Sequence, residues 1–480
     1  MGYEYQMRIG GAWCGAIDGA TKSVINPATE EEIRQLPYGG GKDCHAAIQA
    51  AAEAFRGWAW STAYQRAEVL KRTAQLIRER LDALGKTTSI ESGKPLLQSK
   101  GEWGAGADLF EWYAEECKRA YGRVIPAKMP NRKLMVIKQP VGVVGIITAW
   151  NFPIYNIARS AAAALGAGCT IVIRPSEFTP QTAIELVNLL VESGAPAGVV
   201  NLVLGQSSSI GQEMLANPKC AKIHFTGSPR VGRLLMEGAA QTIKKLSLEL
   251  GGNAPVLVFA DADVEKVASS AVVAKFRNAG QVCVAPQRFL VHESIAGRFA
   301  EVAVKQTSLL KQGYAFDADT QIGPLISKRQ FDSVASLVER SVAAGATLLT
   351  GGKRSNKFAK GYFYEPTVLG SVCADSPAFR EEIFGPVLPI TTFQSVDEAI
   401  ALANDTPHGL ASYAWSNDVR IVRRCAEELE FGMVAINDWT PHATEGPFVG
   451  WKESGVGKES GPEGLEEYLE TKLVSEVVSW

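Results

Sequence analysis

The stretch Val141–Ala149, VGVVGIITA, decides the fold class of this chain. It is a continuous apolar run rich in valine and isoleucine, which is typical of a strand buried on both faces of a parallel sheet. Helical segments follow it in alternation with further strands, and Thr179-Pro180 has the composition of a helix start. This alternation predicts a doubly wound parallel sheet. The downstream strands are predicted at Thr170–Ile173, Val199–Leu204, Ala221–Phe225 and Lys245–Leu250.

Other parts of the chain show related patterns. A second α/β pattern runs from Ala254 to about Asn437, in which VLVF and RFLVH are predicted strands. Helical segments are predicted at Ala46–Ala83, Ala158–Gly166, from Arg230 onward, and at Ser327–Ala343. Together these segments place the whole chain in the α/β class.

Two strand-like segments have no neighbouring helix. They are RKLMVIK (Arg132–Lys138) and the tail YLETKLVSEVVSW (Tyr468–Trp480). A solitary apolar strand presents an edge that must be covered. Pairing with another subunit is one way to cover it, so the segments favour a homo-oligomer.

Composition excludes several classes of protein. The 480 residues are enough for about two to four domains. The formal charge of −2 gives no electrostatic reason to bind nucleic acid or anionic membranes. The eight cysteines form no CxxC pair and the five histidines have no metal-ligand spacing, so we expect neither disulfides nor a metal site. With no signal-peptide pattern near the first residue, these features favour a reducing, cytoplasmic setting.

Cys283 is the leading candidate nucleophile. It lies in KFRNAGQVCVA (Lys275–Ala285), a polar, glycine-containing stretch in which a sulfur can be accessible to a ligand. Arg277 lies six positions upstream, and a nearby cation can shift a thiol toward the reactive thiolate. The alternative is a buried structural cysteine, which fits the other seven cysteines better.

Polar residues follow several of the predicted strands. Asn151, in ITAWNFP, could donate a hydrogen bond to a developing oxyanion. Glu249, in LELGGNAP, lies among apolar neighbours, and burial would raise its pKa into the range of a general base. The motif EEIFGP places Glu382 and Phe384, a carboxylate and a ring, two positions apart.

The signals for nucleotide binding are weaker. In HFTGSPRVG, Gly227 and Gly232 frame a helix start whose N–H groups could hold a phosphate, although a plain β–α turn is the alternative. The spacing resembles a P-loop, but Arg233 and Leu234 replace the required Lys and Ser/Thr. In IRPSEF, Arg174 could contact ribose or phosphate and Glu177 could accept hydrogen bonds from a ribose diol.

In this order along one chain, the motifs resemble the aldehyde dehydrogenase superfamily, from NPAT (Asn26–Thr29) to the tail. The resemblance implies three parts. A doubly wound NAD(P)-binding domain covers 1–120 and 141–250, and an α/β catalytic domain covers 251–458. A small β oligomerisation arm, which covers 121–140 and 459–480, would serve a homodimer or homotetramer.

The same resemblance assigns the chemical roles. It makes Cys283 the nucleophile that attacks the aldehyde carbon, with Asn151 and the Cys283 N–H holding the oxygen. After hydride transfer, Glu249 activates the water that hydrolyses the thioester. A non-oxidising or esterase-like relative is an alternative that the intact set of three residues disfavours. CoA-acylating relatives usually lack the glutamate.

The resemblance also assigns the cofactor positions. Arginine stands at position 174 where lysine is usual, which leaves NADP possible. Glu177 would repel a 2′-phosphate, so NAD is favoured. The residues that match cofactor positions are Trp150, Arg174, Ser176, Glu177, Gly227, Ser228, Leu250, Glu382 and Phe384.

Two arginines indicate the substrate class. Arg159 and Arg277 match positions at which semialdehyde dehydrogenases, acting on succinate semialdehyde or 2-oxoglutarate semialdehyde, bind the distal carboxylate. Structural ion pairing is the alternative for either arginine. IVIRPSEFTP and VGWKESGVG resemble lactaldehyde or glycolaldehyde dehydrogenases instead, and Trp451 is expected to line or rim the substrate pocket. We favour an ω-carboxylated semialdehyde.

Overall fold

The computed structural model describes residues 5–478 of the chain. Within them the chain alternates strands and helices over most of its length. The strands are β1 (Met7–Ile9), β2 (Ala12–Cys14), β3 (Thr21–Ile25), β4 (Glu32–Pro37), β5 (Arg123–Ile125), β6 (Arg132–Pro140), β7 (Val143–Ile147), β8 (Thr170–Arg174), β9 (Val200–Leu202), β10 (Cys220–Thr226), β11 (Lys245–Glu249), β12 (Pro255–Val258), β13 (Arg288–His292), β14 (Thr347–Thr350), β15 (Thr367–Gly370), β16 (Val387–Phe393), β17 (His408–Gly409), β18 (Ala411–Trp415), β19 (Met433–Ile436), β20 (Trp451–Lys452), β21 (Gly455–Val456) and β22 (Leu469–Val477).

Helices cover both faces of the sheets that these strands form. Short 3-10 turns at Cys117–Arg119 and Arg277–Gly280 extend two of them. The helices are α1 (Gly41–Ala59), α2 (Ala63–Glu79), α3 (Leu81–Ser92), α4 (Leu96–Glu116), α5 (Pro153–Ala167), α6 (Pro180–Glu192), α7 (Ser207–Ala216), α8 (Pro229–Ala240), α9 (Val264–Phe276), α10 (Glu293–Leu309), α11 (Lys328–Ala343), α12 (Pro377–Arg380), α13 (Val396–Asn404), α14 (Val419–Glu428) and α15 (Gly461–Glu466).

The first large sheet has the order β2-β1-β9-β8-β7-β10-β11-β21. Strands β9, β8, β7, β10 and β11 are parallel, and every residue of β7 and β8 is buried, as their apolar sequences predict. The strand order reverses between β7 and β10, so the crevice beyond their carboxyl ends is where this architecture binds ligands. The doubly wound sheet is therefore confirmed.

A second sheet of order β14-β15-β16-β13-β12-β18-β19 is formed by the second α/β pattern. All its strands except the edge strand β14 are parallel to their neighbours. The buried apolar residues fall into two clusters. One reaches Leu250 and takes in Leu465–Leu469, and the other runs from Ala254 to Phe448. The domain boundaries drawn from the sequence stay a proposal, which these two cores support.

The two solitary strands have a partner after all. β6 pairs along its whole length with β22, and with β5 on its other side, in an antiparallel sheet of order β22-β6-β5. The two segments that the sequence places in one arm therefore meet within one molecule, although more than 300 residues of chain separate them. Pairing of this arm with another subunit stays a prediction. Residues 1–4 and 479–480, which belong to the predicted cofactor domain and arm, lie outside the described residues.

The helical stretch predicted at Ala46–Ala83 is divided among α1, α2 and α3, and Thr62 and Gln65 make a reciprocal capping box that starts α2. One predicted helix start needs correction. Helix α5 begins at Pro153 rather than Ala158, since proline is well suited to the first helical position. Thr179 lies at the start of α6 as predicted, but the carboxylate of Glu91 accepts the N–H groups there.

None of the helices between residues 5 and 478 combines the length and apolar character that crossing a bilayer requires.

Candidate active site

Cys283 follows a strained turn at the end of α9. Asn278 and Ala279 have φ angles of 50° and 53°, in the left-handed region, and Gly280 follows at 74°. A Cβ at position 280 would lie 2.1 Å from the carbonyl oxygen of Gly385, so only glycine fits there. The turn brings the half-buried Cys283 to a point where two cavities meet.

The surroundings of Cys283 disfavour the thiolate. Burial raises the pKa of Cys283 to about 11, and Arg159 is the cation that opposes this effect. The carboxylates Glu249, Glu382 and Glu459 raise the pKa further. The raised pKa therefore favours the protonated thiol over the thiolate at neutral pH.

Asn151 presents its amide beside this thiol. Its Oδ1 accepts a hydrogen bond from Asn156 Nδ2 at 3.2 Å, and its Nδ2 donates to the carbonyl of Gln281 at 3.2 Å. An amide nitrogen has two N–H groups, so the second is available for a ligand oxygen. The side chain is 5% exposed, so these contacts fix its orientation.

A buried ion pair holds the backbone of this turn. Lys94 pairs with Glu102, both side chains being 1% exposed, and Lys94 Nζ donates to the Asn151 carbonyl at 2.9 Å. Glu102 Oε1 accepts the N–H groups of Ile154 and Tyr155 at 2.9 and 3.3 Å, which caps α5. The sequence reasoning missed this pair because its two residues lie on α4 and the preceding loop.

Glu249 ends strand β11 and is 4% exposed. Burial raises its pKa well above the usual range, and the nearby Glu459 adds to this while Arg159 opposes it. Its Oε2 has no hydrogen-bond partner among the described residues. A carboxylate with one open oxygen and a raised pKa is equipped to accept a proton from water.

A second buried network lies behind Glu249. Arg159 Nη1 is 2.7 Å from Glu459 Oε2, and His224 Nε2 is 2.5 Å from Glu459 Oε1. Burial alone would raise the pKa of Glu459, but Arg159 and His224 outweigh it and the pKa is lowered. Glu459 is thus an ionised partner for Arg159, which the sequence reasoning also missed.

The first cavity, here called the cofactor-side cavity, has a volume of about 300 Å³. It lies beyond the carboxyl ends of β7, β10 and β11, and includes Cys283. The Trp150 and Phe384 rings meet edge to face at 5.4 Å, and Gly252 N–H donates to Glu382 Oε1 at 3.1 Å. The predicted cofactor residues that line it are Trp150, Gly227, Ser228, Leu250, Glu382 and Phe384.

The cavity has features that suit the phosphate groups of a dinucleotide. A Cβ at Gly227 would lie 2.3 Å from the Phe225 ring, so the turn before α8 requires glycine. Helix α8 begins two residues later and Ser228 makes no capping bond, which leaves N–H groups for a phosphate. Thr226 Oγ1 lacks a partner among the described residues. Burial raises the pKa of Glu382 to about 7.

The remaining predicted cofactor residues follow β8. Ser176 and Glu177 line a separate small cavity of about 20 Å³. Arg174 is 7% exposed, and its Nη2 donates to the Gly205 carbonyl at 3.0 Å. Its guanidinium is therefore turned into the protein.

The second cavity at the thiol, here called the substrate-side cavity, is also about 300 Å³ in volume. Four ring side chains lie among its lining residues. Burial together with Arg277 and Arg159 lowers the pKa of one of them, His442, to about 4. His442 is therefore a neutral lining group. The aromatic lining residues are Phe152, Tyr155, His442 and Phe448.

The two predicted substrate arginines differ in their surroundings. Arg159 is 2% exposed and stacks 4.1 Å from the Phe448 ring, with Glu459 as its ionic partner. Arg277 is exposed, lines the cavity and lies 5.5 Å from the Phe152 ring. The structure thus brings both to the cavity but leaves only Arg277 accessible.

Trp451, which the sequence predicts to line or rim the substrate pocket, lies at the protein surface. Strand β20 pairs with β17, which places the Trp451 side chain at the surface with 51% exposure. Neither cavity at the thiol is lined by it, whereas Phe448, three residues earlier, lines the substrate-side cavity. The sequence pattern around these two residues does not indicate that Phe448, rather than Trp451, lines the cavity.

Comparison with known proteins agrees with this geometry. A model described as the aldehyde dehydrogenase family matches residues 13–474. A mitochondrial succinate-semialdehyde dehydrogenase of Oryza sativa subsp. japonica is 43% identical over 97% of this chain and 88% of its own length. A succinate-semialdehyde dehydrogenase [NADP(+)] of Escherichia coli is 42% identical over 98% of both chains. The crystal structure of succinate-semialdehyde dehydrogenase from Burkholderia pseudomallei matches with a TM-score of 0.97 at 42% identity, covering 99% of this chain and 98% of that one.

Proposed function

The chain belongs to the aldehyde dehydrogenase family, and on that premise we propose that it oxidises an ω-carboxylated semialdehyde to the dicarboxylate with NAD or NADP. The overall change consumes one aldehyde, one water and one NAD(P)⁺. It releases the carboxylate, NAD(P)H and two protons. The observation that carries the proposal is the meeting of the two cavities at Cys283, with an accessible arginine in the wall of the substrate-side cavity.

The first step is addition of the Cys283 sulfur to the aldehyde carbon. The thiol must lose its proton for this, and its raised pKa means that a small fraction reacts at neutral pH. The new oxyanion lies between the free Asn151 N–H and the Cys283 backbone N–H. Since Asn156 and Gln281 orient the Asn151 amide before the substrate arrives, no reorganisation is needed as charge develops.

Oxidation of the thiohemiacetal to the thioester needs a hydride acceptor, which NAD(P)⁺ would supply when bound in the cofactor-side cavity. Gly227 and Ser228 would hold its phosphates and Glu382 its nicotinamide ribose, while Trp150 and Phe384 lie at the cavity wall. Leu250 would pack against the cofactor from the end of β11.

Glu249 completes the reaction by hydrolysis. The thioester on Cys283 needs a water deprotonated near its carbonyl carbon. The open Oε2 of Glu249 accepts that proton, and burial raises the pKa of the carboxylate enough to make it a stronger base.

The protein would select a semialdehyde by binding the carboxylate at the far end of the substrate. Arg277 is accessible in the substrate-side cavity, and a guanidinium binds a carboxylate through two parallel hydrogen bonds. Arg159 Nε has no hydrogen-bond partner among the described residues and can donate one further bond, although Glu459 neutralises its charge. The neutral His442 adds a polar group without adding charge.

A steady-state panel tests the proposal. Succinate semialdehyde and 2-oxoglutarate semialdehyde carry the distal carboxylate, whereas lactaldehyde, glycolaldehyde and benzaldehyde do not. We expect kcat/KM to be at least about tenfold higher for the first pair, with NAD(P)H formation abolished in Cys283→Ala. A preference for lactaldehyde or glycolaldehyde would overturn the substrate class. Nucleotide binding without NAD(P)H formation would favour a non-oxidising relative.

We further propose a cytoplasmic homodimer or homotetramer. All eight cysteines are free, which fits a reducing compartment. Strand β22 lies at one edge of its sheet, and Leu473 and Val477 are 61% and 63% exposed. A second copy that covers this strand would bury them. Light scattering of the protein and of a Leu473→Lys variant tests this proposal, because the charge is expected to weaken the assembly.

A further inference from the structure

Lys22 is a cation placed on the carboxylate proposed to bind the cofactor ribose. It lies in β3, far in sequence from the sheet motifs, yet its Nζ is 2.8 Å from Glu177 Oε2. Tyr38, which follows β4, donates its hydroxyl to the same oxygen at 3.3 Å. The Lys22 ammonium also lies 4.9 Å from the centre of the Tyr38 ring. Three segments therefore converge on Glu177.

The charged side chains around Glu177 are more positive than expected for a site that only repels a phosphate group. Arg174 and Lys22 carry two positive charges against the single negative charge of Glu177. Arg174 is buried and donates to the Gly205 carbonyl, so it is not free to follow a ligand. Lys22 is the accessible cation, with a side chain that is 44% exposed. It lies on a flexible stem and can exchange one anion for another.

We propose that Lys22 determines how well this chain accepts a 2′-phosphorylated nucleotide. With NAD(H), the ammonium stays on Glu177 Oε2, and the other carboxylate oxygen accepts the ribose hydroxyls. With NADP(H), the ammonium turns from Glu177 onto the 2′-phosphate and offsets the repulsion from the carboxylate. This inference rests on the proposed placement of the adenosine ribose at Glu177. It predicts that the chain uses both cofactors rather than excluding NADP.

Equilibrium titration of NADH and NADPH fluorescence tests the role of Lys22 without any aldehyde. In the unmodified chain we expect the two Kd values to differ by no more than about tenfold. Lys22→Met should weaken NADPH by about tenfold, equivalent to about 1.4 kcal/mol, and change NADH by less than about threefold. Lys22→Arg should retain NADPH binding. High salt should reduce the effect, since the site is open to solvent.

Lys71→Met is the matched control. Lys71 pairs with Glu115 at 2.6 Å and has a side-chain exposure of 42%, but it lies on α2 rather than beside Glu177. It should leave both Kd values unchanged. An unchanged NADPH-to-NADH ratio in Lys22→Met, or equal weakening of both nucleotides with normal thermal stability, would overturn the proposal. Failure to form NAD(P)H from any aldehyde while nucleotides still bind would instead count against the proposed function.

Discussion

The two cavities at Cys283 have similar volumes but are built in different ways. The cofactor-side cavity is made from turns at the carboxyl ends of neighbouring parallel strands, with carboxylates and backbone N–H groups in its wall. The substrate-side cavity is made from α4, α5 and loops distant in sequence, and its wall includes four aromatic rings and the two arginines. The chemistry shared by a family can thus occupy one side while the other side varies with the substrate.

Arg159 lines both cavities and shows how they are joined. Its guanidinium is held by Glu459, which His224 also contacts. The same arginine opposes the raised pKa values of both Cys283 and Glu249. The boundary between the cavities is therefore a buried electrostatic network, whereas Arg277 at the outer wall is a replaceable recognition group.

The largest effect should come from Cys283, the nucleophile that lines both cavities. Cys283→Ser retains the shape but replaces a strong nucleophile with a hydroxyl of much higher pKa, so kcat should fall by at least about a thousandfold. NAD(P)H formation measures it. Cys373→Ala, which changes an exposed cysteine remote from both cavities, should leave kcat unchanged. Comparable activity in Cys283→Ser would mean that the two cavities do not meet at the nucleophile.

The second-largest effect is a difference in protein stability between variants of Arg159 and Arg277. Arg159→Met leaves Glu459 buried without its main cation, and breaking a buried pair costs about 3–5 kcal/mol. Thermal unfolding should show a clearly lowered Tm, and the double variant Arg159→Met/Glu459→Met should recover much of the loss. Arg277→Met should not lower the Tm, because this side chain is exposed. Equal Tm values for the two single variants would contradict the division into network and recognition group.

The third effect is on substrate binding, which we expect to depend on the accessible Arg277. Arg277→Ala removes the accessible guanidinium, so KM for succinate semialdehyde should rise by about tenfold or more while kcat changes little. Benzaldehyde, which has no carboxylate, serves as the control substrate and should keep its KM. If KM for the semialdehyde does not change, the recognition group lies elsewhere in the substrate-side wall.

A pH series sharpens the description of the shared thiol. Because burial raises the pKa of Cys283 to about 11, the thiolate fraction should rise about tenfold per pH unit from pH 7 to pH 10. Iodoacetamide alkylation of the ligand-free protein, in a Cys373→Ala background, measures this slope. A rate that is already at its maximum at pH 7 would show that the thiol is activated before the cofactor binds.

The smallest effect is expected at Trp451. Its side chain is half exposed and lines neither cavity, so Trp451→Ala should change KM for every aldehyde by less than about twofold. Phe448→Ala is the comparison, since this ring lines the substrate-side cavity and stacks on Arg159. A Trp451 effect as large as that of Phe448 would restore the view that the tryptophan borders the substrate.

The same contrast explains what the sequence could predict. Cys283, Asn151 and Glu249 each follow a local pattern, and the sheet brings Asn151 and Glu249 together because neighbouring strands end at one edge. The predicted strand RFLVH matches β13 residue for residue.

Contacts between residues far apart in the chain could not be predicted from the sequence. Arg159 and Glu459 are 300 positions apart, and neither has a local signal that names the other. The pairing of β6 with β22 and the choice of Phe448 rather than Trp451 depend likewise on tertiary packing. The pKa of Cys283 depends on burial, which a short sequence window does not reveal.

The most direct test of Cys283 as the common point of both cavities is to trap its acyl intermediate. Glu249→Gln should still form the thioester but hydrolyse it slowly, because the amide cannot accept the proton from water. After incubation with succinate semialdehyde and NAD(P)⁺, we expect peptide mass spectrometry to find one succinyl group on Cys283 and a single burst of NAD(P)H. An adduct on another residue, or a burst that persists in Glu249→Gln/Cys283→Ala, would contradict the account.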